Sequence, residues 1–221
     1  MGTTCRLAVL MAAMLAVTGV MAAGDLPQTS HDGLELRKSK VASVLYVRPG
    51  ADFSRYKRLA ILECPVAFSG DWERDQSRSR NRLSVDDMEK MKADLSAEFR
   101  KIFTDELQNK GGYQVVGSAG DDVLVLRPAI VDLYVTAPDT QTAGRSYTLS
   151  ESAGSMTLYL EIFDSVTGQI LARVADRETS RGTGRIEWRN GVTNKAEADR
   201  ILRRWASALR TRLDEVNGKG E

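Results

Sequence analysis

Alternating apolar and polar residues predict the most clearly defined part of the fold, an antiparallel hairpin over residues 155–176. Every second side chain is apolar from Met156 onward, and the alternation resumes after a short polar turn. Successive strand residues point to opposite faces, so this pattern indicates two strands with one buried face. Asp164 and Gly168 favour the turn, because an Asp side chain bonds the following backbone and Gly accepts a positive φ.

Other apolar runs predict four further strands. These runs are residues 42–47, 57–68, 113–116 and 122–138. Proline lacks an amide hydrogen and is unfavourable inside a ladder. Pro65 therefore places the end of its run at a sheet edge or a bulge. Pro128 predicts that the last run consists of two segments joined at a bulge.

Two segments carry apolar residues at spacings of three and four, which predicts amphipathic helices. In the first, Ser84 and Asp87 form a capping box, and two glycines at 111–112 end the helix. The second begins with Asn194 as N-cap and Glu197 as its partner. Its apolar stripe faces the sheet, and the opposite side carries Arg200, Arg203, Arg204 and Arg210. A solvated surface is the favoured interpretation of these arginines, and a basic partner-binding face is the alternative.

These elements define an α+β fold class: a mostly antiparallel β-sheet covered by two amphipathic helices, in roughly the order β-β-α-β-β-β-β-α. All of them lie within residues 42–217, which predicts a single domain. Residues 23–41 are polar and have no sustained period, so we expect an extended N-terminal arm. Residues 218–221 are predicted to form a disordered tail.

The beginning of the 221-residue chain has the layout of a secretory signal peptide. Arg6 precedes an uncharged apolar run, and small side chains favour cleavage after Ala22. We therefore predict a signal peptide over residues 1–22, a periplasmic mature chain and no integral membrane span in that mature chain. A lipid anchor is disfavoured because Cys5 lies before the apolar run. An uncleaved membrane anchor is the alternative.

Charge and composition exclude several function classes. Loss of Arg6 with the leader changes the formal net charge from +1 to zero, which disfavours nucleic acid and anionic membranes as partners. The mature chain keeps one cysteine, Cys64, and one histidine, His31. It therefore has no intramolecular disulfide and cannot form the usual zinc site, so we expect no metal and no cofactor. Cys64 is interpreted as a buried small hydrophobic residue rather than a nucleophile.

The segment GDWERDQSRSRNR, residues 70–82, is interpreted as a strand-to-helix connection. Exposing its tryptophan would forgo on the order of 2 kcal/mol of burial, so we expect the indole to dock. In the favoured interpretation it plugs the end of the sheet. In the alternative, the loops form an aromatic and arginine surface of the kind enriched at interfaces. The candidate binding residues are Trp72, Glu73, Arg74, Asp75, Arg145, Trp188 and Arg189.

Hydrolysis by paired carboxylates is the alternative function. The candidate acids are Glu63, Asp132, Glu161 and Glu187, and their spacing in sequence does not reveal their separation. Such a hydrolase requires two acids that converge in a pocket, at least one of them with a raised pKa. For Asp132 an ion pair with an arginine such as Arg127 is the favoured explanation. We therefore assign no catalytic residue.

Several longer blocks resemble one protein family. The blocks are TSHDGL, YVRPGADFSRYKRL, DWERDQ, RPAIVDL, AGRSYT, LEIFDSVTGQILAR and RILRRWASALRTRLD. Together they resemble the bacterial envelope proteins grouped as domain of unknown function 3313 (DUF3313), over nearly all of the mature chain. The resemblance implies an exported, envelope-associated domain and implies no reaction. Family members are often lipoproteins, and this sequence departs from them because no cysteine directly follows its leader run.

These observations predict an exported, envelope-associated, non-enzymatic domain that binds a protein or glycan partner through its loops. A carboxylate-dependent periplasmic hydrolase is the alternative. Oligomeric scaffolding through Cys64 or a sheet edge is a third possibility, and the oligomeric state stays open.

Overall fold

The computed structural model of the chain describes residues 26–79, 83–136, 148–150, 154–179, 187–189 and 191–219. The strands of its large sheet are β1 (Glu35–Leu36), β2 (Val44–Val47), β3 (Arg58–Ile61), β4 (Val66–Phe68), β5 (Gln114–Val115), β6 (Val123–Val135), β8 (Gly154–Asp164) and β9 (Ile170–Thr179). A separate two-stranded ribbon consists of β7 (Thr148–Ser150) and β10 (Glu187–Arg189). The helices are α1 (Gly70–Arg78), α2 (Val85–Thr104) and α3 (Gly191–Val216), and α2 continues as a π-helical segment over Asp105–Lys110.

The large sheet is mixed but mostly antiparallel. Its order is β1-β2-β9-β8-β6-β3-β5, with β4 also paired to β6. The pairs from β1 to β6 are antiparallel, whereas β3 and β4 run parallel to β6, and β5 runs parallel to β3. The predicted class, α+β with a mostly antiparallel sheet, is confirmed. The predicted order of six strands and two helices differs from the observed one, which has ten strands and three α-helices in the described ranges.

The hairpin predicted over residues 155–176 is present as β8 and β9. The carboxylate of Asp164 accepts hydrogen bonds from the backbone N–H groups of Val166 and Thr167, at 3.0 and 2.7 Å. Gly168 adopts φ +66°, the left-handed conformation that the turn requires. The same Asp164 accepts a hydrogen bond of 2.7 Å from the hydroxyl of Tyr56, which ties the turn to the main core.

The strand β6 is continuous through Pro128, so the break predicted there is wrong. The reason lies in the strands beside β6. The run predicted over residues 57–68 forms two separate strands there, β3 and β4. Leu62 N–H donates to Leu126 O, and Ile130 N–H donates to Pro65 O. Backbone donors alternate between the two sides of a strand, so the nitrogen of Pro128 points to the gap between these bonds. No ladder bond is lost there.

The irregularity of β6 lies instead at Asp132. This residue has φ +53°, the one positive φ at a non-glycine residue among those described, and the register with β8 shifts between Val131 and Tyr134. A bulge of this kind places two residues opposite one on the partner strand. Leu133 thereby turns into the core, where it is 8% exposed.

The stretch does connect a strand, β4, to a helix, α2, but residues 70–78 within it form a further helix, α1, that the sequence did not predict. Ser69 is the N-cap, and its hydroxyl accepts a hydrogen bond of 3.2 Å from the N–H of Trp72. Asp71 and Glu73 lie in the first turn, where negative charge is favoured by the helix dipole. Trp72 anchors the helix because its indole is buried in the main core.

The helices α2 and α3 run side by side in the same direction. Glu98 of α2 pairs with Lys195 near the beginning of α3, and Glu106 pairs with Arg210 farther along both elements. The predicted capping box of Ser84 and Asp87 is present at the beginning of α2. The helix α3 begins at Gly191, three residues before the predicted N-cap, Asn194.

The main core joins these helices to one face of the sheet. It contains residues of β3, β6 and β8 together with α2 and α3, among them Leu59, Phe99, Ile102, Phe103, Leu124, Leu126, Ile130, Leu158, Leu160, Ile201, Leu202 and Trp205. Cys64 belongs to it and is 3% exposed, in agreement with its interpretation as a buried hydrophobic residue.

A second, small core cluster consists of Leu34, Tyr46 and Ile170. Tyr46 is paired with Arg173, which alternates along β9 with the main-core residue Ala172, so this cluster lies on the other face of the sheet. The described part of the predicted N-terminal arm therefore contributes a strand, β1, and the fully buried side chain of Leu34. The predicted domain boundaries remain predictions.

Candidate functional site

A cleft of about 270 Å³ opens between α2 and α3 at the end of the sheet where β6 ends and β8 begins. Its apolar lining consists of Met91, Leu95, Leu133, Val135, Met156, Ala198 and Ile201. This volume lies near the lower limit of the roughly 300–1,000 Å³ that is usual for small-molecule pockets. The cleft can therefore accept a small apolar group or one or two side chains of a partner.

Charged side chains surround the apolar lining. Four carboxylates and one ammonium group line the cleft: Asp94, Glu98, Glu197, Asp199 and Lys195. Lys195 bridges two of these acids, at 3.0 Å from Glu98 and 3.4 Å from Asp199. Burial alone would raise the pKa of Glu98, but hydrogen bonds from Lys195 and Lys101 outweigh it, so the pKa lies below its usual range. The hydrogen bond to Glu98 in turn raises the pKa of Lys195.

A glycine brings β6 and β8 close together at the cleft. Gly154 lines the cleft at the beginning of β8 and has φ +143°. A Cβ atom at this position would lie 2.2 Å from the backbone oxygen of Tyr134. Only glycine fits this approach without a shift of the backbone.

Two connecting segments meet at the same end of the molecule. The chain leaves β6 at Val135 and returns at Gly154, and it leaves β9 at Thr179 and returns at the beginning of α3. Their strands β7 and β10 pair with each other as an antiparallel ribbon. The loop-bearing end of the sheet is therefore also the end that holds the cleft.

Trp72, the central residue of the candidate binding stretch, lies in the main core and is 1% exposed. Its ring stacks on Phe68 with centroids 4.1 Å apart, and its Nε1–H donates to the backbone oxygen of Val135 at 2.8 Å. This placement agrees with the interpretation in which the tryptophan plugs the end of the sheet. In this structure the indole offers no accessible surface.

The charged residues that follow Trp72 are exposed on α1. Arg74 pairs with Asp71 one turn away. Asp75 accepts a hydrogen bond of 3.3 Å from the hydroxyl of Tyr134, a residue that lines the cleft. Burial, and then the contact with Asp75, raises the pKa of that hydroxyl. Asp75 therefore contacts a residue of the cleft, none of Glu73, Arg74 and Asp75 belongs to its lining, and their role in binding remains a prediction.

The other candidate binding residues belong to the connecting segments. Arg145 lies outside the described residues. Trp188 and Arg189 are in β10, opposite Leu149 and Thr148 of β7, and only their backbones are described. Their role in binding also remains a prediction.

The candidate catalytic acids whose side chains the structure describes are paired or exposed. Glu161 is 5% exposed and is held by Arg127 Nε at 2.9 Å, Arg173 Nε at 3.0 Å and the hydroxyl of Tyr159 at 3.1 Å. Burial alone would raise the pKa of Glu161, but these hydrogen bonds outweigh it, so its pKa lies below the usual range. A general acid requires the opposite shift.

Asp132 is exposed at the bulge, and Arg177 lies 3.9 Å from its carboxylate. Its expected pairing with Arg127 is wrong, because Arg127 binds Glu161 instead. Glu63 is exposed in the segment between β3 and β4, and Glu187 is in β10, where only the backbone is described.

Other chemistry finds little support among the described residues. His31 is exposed, and burial raises the pKa of the Cys64 thiol to about 12, which leaves it an unreactive thiol. Within the described ranges, no three His, Cys, Asp or Glu side chains come together as a set of metal ligands. None of the helices in that part of the chain combines the length and the apolar character that crossing a bilayer demands.

The chain resembles several solved structures only weakly. A solved structure of the PelC dodecamer from Paraburkholderia phytofirmans is 13% identical, covers 75% of this chain and 96% of its own, and has a TM-score of 0.40. A neuraminyllactose-binding hemagglutinin homolog from Helicobacter pylori is 9% identical, covers 77% of this chain and 92% of its own, and has a TM-score of 0.29. Likenesses this low transfer no property to this chain.

No curated protein matches the sequence significantly. A family profile does match it, over residues 28–209 and therefore over most of the chain. The chain belongs to the family described as protein of unknown function (DUF3313).

Proposed function

We propose that this protein is an exported, non-enzymatic domain of the bacterial cell envelope, which binds a protein or glycan partner at the loop-bearing end of its sheet. The observation that carries the proposal is the cleft between α2 and α3, where an apolar lining is surrounded by charged side chains. Binding sites commonly combine apolar walls with a few polar groups that orient the ligand. Two connecting segments start or end beside this cleft, at Val135, Gly154 and the beginning of α3, and their strands β7 and β10 pair with each other.

The state of the carboxylates supports a binding role over hydrolysis. Two arginines and a tyrosine hydroxyl hold Glu161 as an ionised carboxylate, and Asp132 is exposed to solvent. A glycosidase or related hydrolase needs one acid protonated near neutral pH beside a second, ionised one. Neither acid meets that requirement.

The envelope location rests on the sequence of the first residues, in which Arg6 precedes an uncharged apolar run. We expect the mature protein to begin at Ala23 and to fractionate with the periplasm. Amino-terminal sequencing of protein recovered from cell fractions checks both expectations. Cytosolic protein that still carries Met1 would contradict them.

The binding role is tested by photo-crosslinking in living cells. A photoreactive phenylalanine derivative replaces Asp94 at the edge of the cleft, or Glu89 on the opposite side of α2 as a control. We expect reproducible crosslinks to an envelope partner from position 94 and far fewer from position 89.

A second substitution shows whether the cleft itself is responsible. Ala198→Trp fills the cleft, whereas Ala93→Trp adds the same side chain at an exposed position of α2. Crosslinks from position 94 should disappear with Ala198→Trp and persist with Ala93→Trp, while both proteins stay folded by circular dichroism. Crosslinks unchanged by Ala198→Trp would refute binding at this site.

A further inference from the structure

We infer that the cleft between α2 and α3 binds a basic amphipathic polypeptide segment, which inserts an apolar side chain and places Lys or Arg against the carboxylates around it. This inference rests on the proposed function and specifies the chemistry of its partner. It follows from three features of the cleft: its size, its methionines and the distribution of charge around it.

The size and composition of the cleft suit a side chain. At about 270 Å³ it has room for one or two large apolar side chains. Met91 and Met156 contribute to the lining from α2 and from β8. Methionine is flexible and polarisable, so it adapts to side chains of different shape and is frequent at peptide-binding surfaces. Two of them in so small a cleft favour a polypeptide ligand.

The charges that face the cleft are mostly negative. Four carboxylates and one ammonium group are among its lining residues. Further cations pair with three of these acids from outside the lining: Lys90 pairs with Asp94, Lys101 with Glu98 and Arg200 with Glu197. The Asp94 pair is more than half exposed on both sides, and exposed pairs contribute little. An incoming cation can therefore compete for this carboxylate.

The same charges disfavour other occupants. Anionic lipid headgroups and phosphorylated ligands would meet four carboxylates and a single ammonium group in the lining, which disfavours them. A neutral glycan has few apolar groups to fill a lining of Met, Leu, Val and Ile side chains. A polypeptide with an apolar residue next to basic ones satisfies both the lining and the charge.

Two synthetic peptides test the inference on the full mature chain. The first is a fluorescein-labelled peptide that repeats Leu-Lys-Lys-Leu, and the second has the same pattern with Glu in place of each Lys. Fluorescence anisotropy measures their Kd at low and at high salt. We expect the basic peptide to bind at least about tenfold more tightly than the acidic one, with the difference decreasing as salt screens the charges.

Variants locate the peptide on the protein. Ala198→Trp should weaken binding of the basic peptide by about tenfold or more, whereas Ala93→Trp should leave it unchanged. Asp94→Lys changes a side chain that is 66% exposed, so the fold is retained, and it should weaken binding by about threefold. Its matched control, Glu89→Lys on the opposite side of α2, should have no effect.

Three results would overturn the inference: equal affinity for both peptides, affinity for neither, or binding unaffected by Ala198→Trp. These failures are distinct from failure of the proposed function. If Ala198→Trp abolishes the crosslinks in cells but the basic peptide does not bind, the cleft is a binding site for a partner of different chemistry. If the crosslinks are also unaffected, the proposed function itself is wrong.

Discussion

The two faces of the large sheet are covered in different ways. On the face that meets α2 and α3, successive strands present apolar side chains, such as Leu126 and Leu160, and the cluster is continuous. On the other face a row of charged residues crosses the strands: Arg127 on β6, Glu161 on β8 and Arg173 on β9. Asp32 of the N-terminal segment closes this row with an ion pair to Arg173 at 2.6 Å.

The difference shows that the two faces are stabilised by different kinds of interaction. The helix-covered face is stabilised by apolar area removed from water and by close packing. The charged face is stabilised by a buried carboxylate that is compensated by two arginines, and by a short segment that adds Leu34 to a small apolar cluster. Substitutions on the two faces should therefore change the free energy of unfolding by different amounts, and these changes should depend differently on pH.

The largest effect is expected on the helix-covered face, from Trp72→Ala. The change removes a fully buried ring that stacks on Phe68, together with its hydrogen bond to Val135 O. We expect the free energy of unfolding to fall by about 3–5 kcal/mol, measured by chemical denaturation. Trp72→Phe keeps the stack and should cost less, about 1–3 kcal/mol. Equal stability of wild type and Trp72→Ala would contradict the placement of the indole in the core.

A smaller loss is expected on the charged face from Glu161→Ala. Of its two carboxylate partners, Arg173 would then keep Asp32 alone, and Arg127 would lose its ion pair with Glu161. Removing one member of a buried ion pair should lower the free energy of unfolding by about 2–4 kcal/mol. Glu63→Ala, at an exposed acid, is the matched control and should change stability by less than about 0.5 kcal/mol.

Leu34→Ala tests whether the N-terminal segment belongs to the folded unit. Leu34 is fully buried with Tyr46 and Ile170, but the cluster is small, so we expect a loss of about 2–3 kcal/mol, at the lower end of the range for this substitution. Hydrogen exchange should become faster in β1 and β2 while β6 stays protected. Unchanged exchange in β2 would show that the segment is dispensable for this face.

The smallest effect is the dependence of the charged face on pH. The hydrogen bond from Arg173 lowers the pKa of Asp32 from 3.8 to about 2. A depressed pKa stabilises the folded state above the unfolded value, so this contribution is complete above about pH 4 and is lost as pH falls towards 2. Asp32→Asn should cost about 1–2 kcal/mol at neutral pH, and the difference from wild type should vanish near pH 2. A difference that stays constant over this range would contradict the ion pair.

Several patterns confined to neighbouring residues predicted their own structure correctly. The hairpin of β8 and β9, with Asp164 and Gly168 in its turn, follows from alternation and turn chemistry over a short stretch. The capping box of Ser84 is equally local. The helix α1 was missed although Ser69, with acids in the first turn, is a local signal for it, because the polar composition of residues 70–82 favoured a loop.

Features that depend on two distant segments were not predicted. Pro128 is tolerated inside β6 because β3 and β4 leave a gap beside it, and nothing near Pro128 in the sequence indicates that gap. The predicted partner of Asp132 is wrong for the same reason. Arg127 is close to Asp132 in the sequence, but Arg177 is the arginine that lies close to it in the structure. The cleft is formed by residues of α2, β6, β8 and α3, and no single sequence motif predicts it.

By itself, the sequence determined the α+β class, the faces of its longest strands and helices, and the membership in a family, because periodicity and local chemistry are properties of consecutive residues. Only the tertiary structure decided which residues Trp72 contacts, that Glu161 is held by two arginines, and that apolar and acidic side chains meet in one cleft. These outcomes depend on contacts between segments far apart in the chain, and spacing along the chain does not encode distance between them.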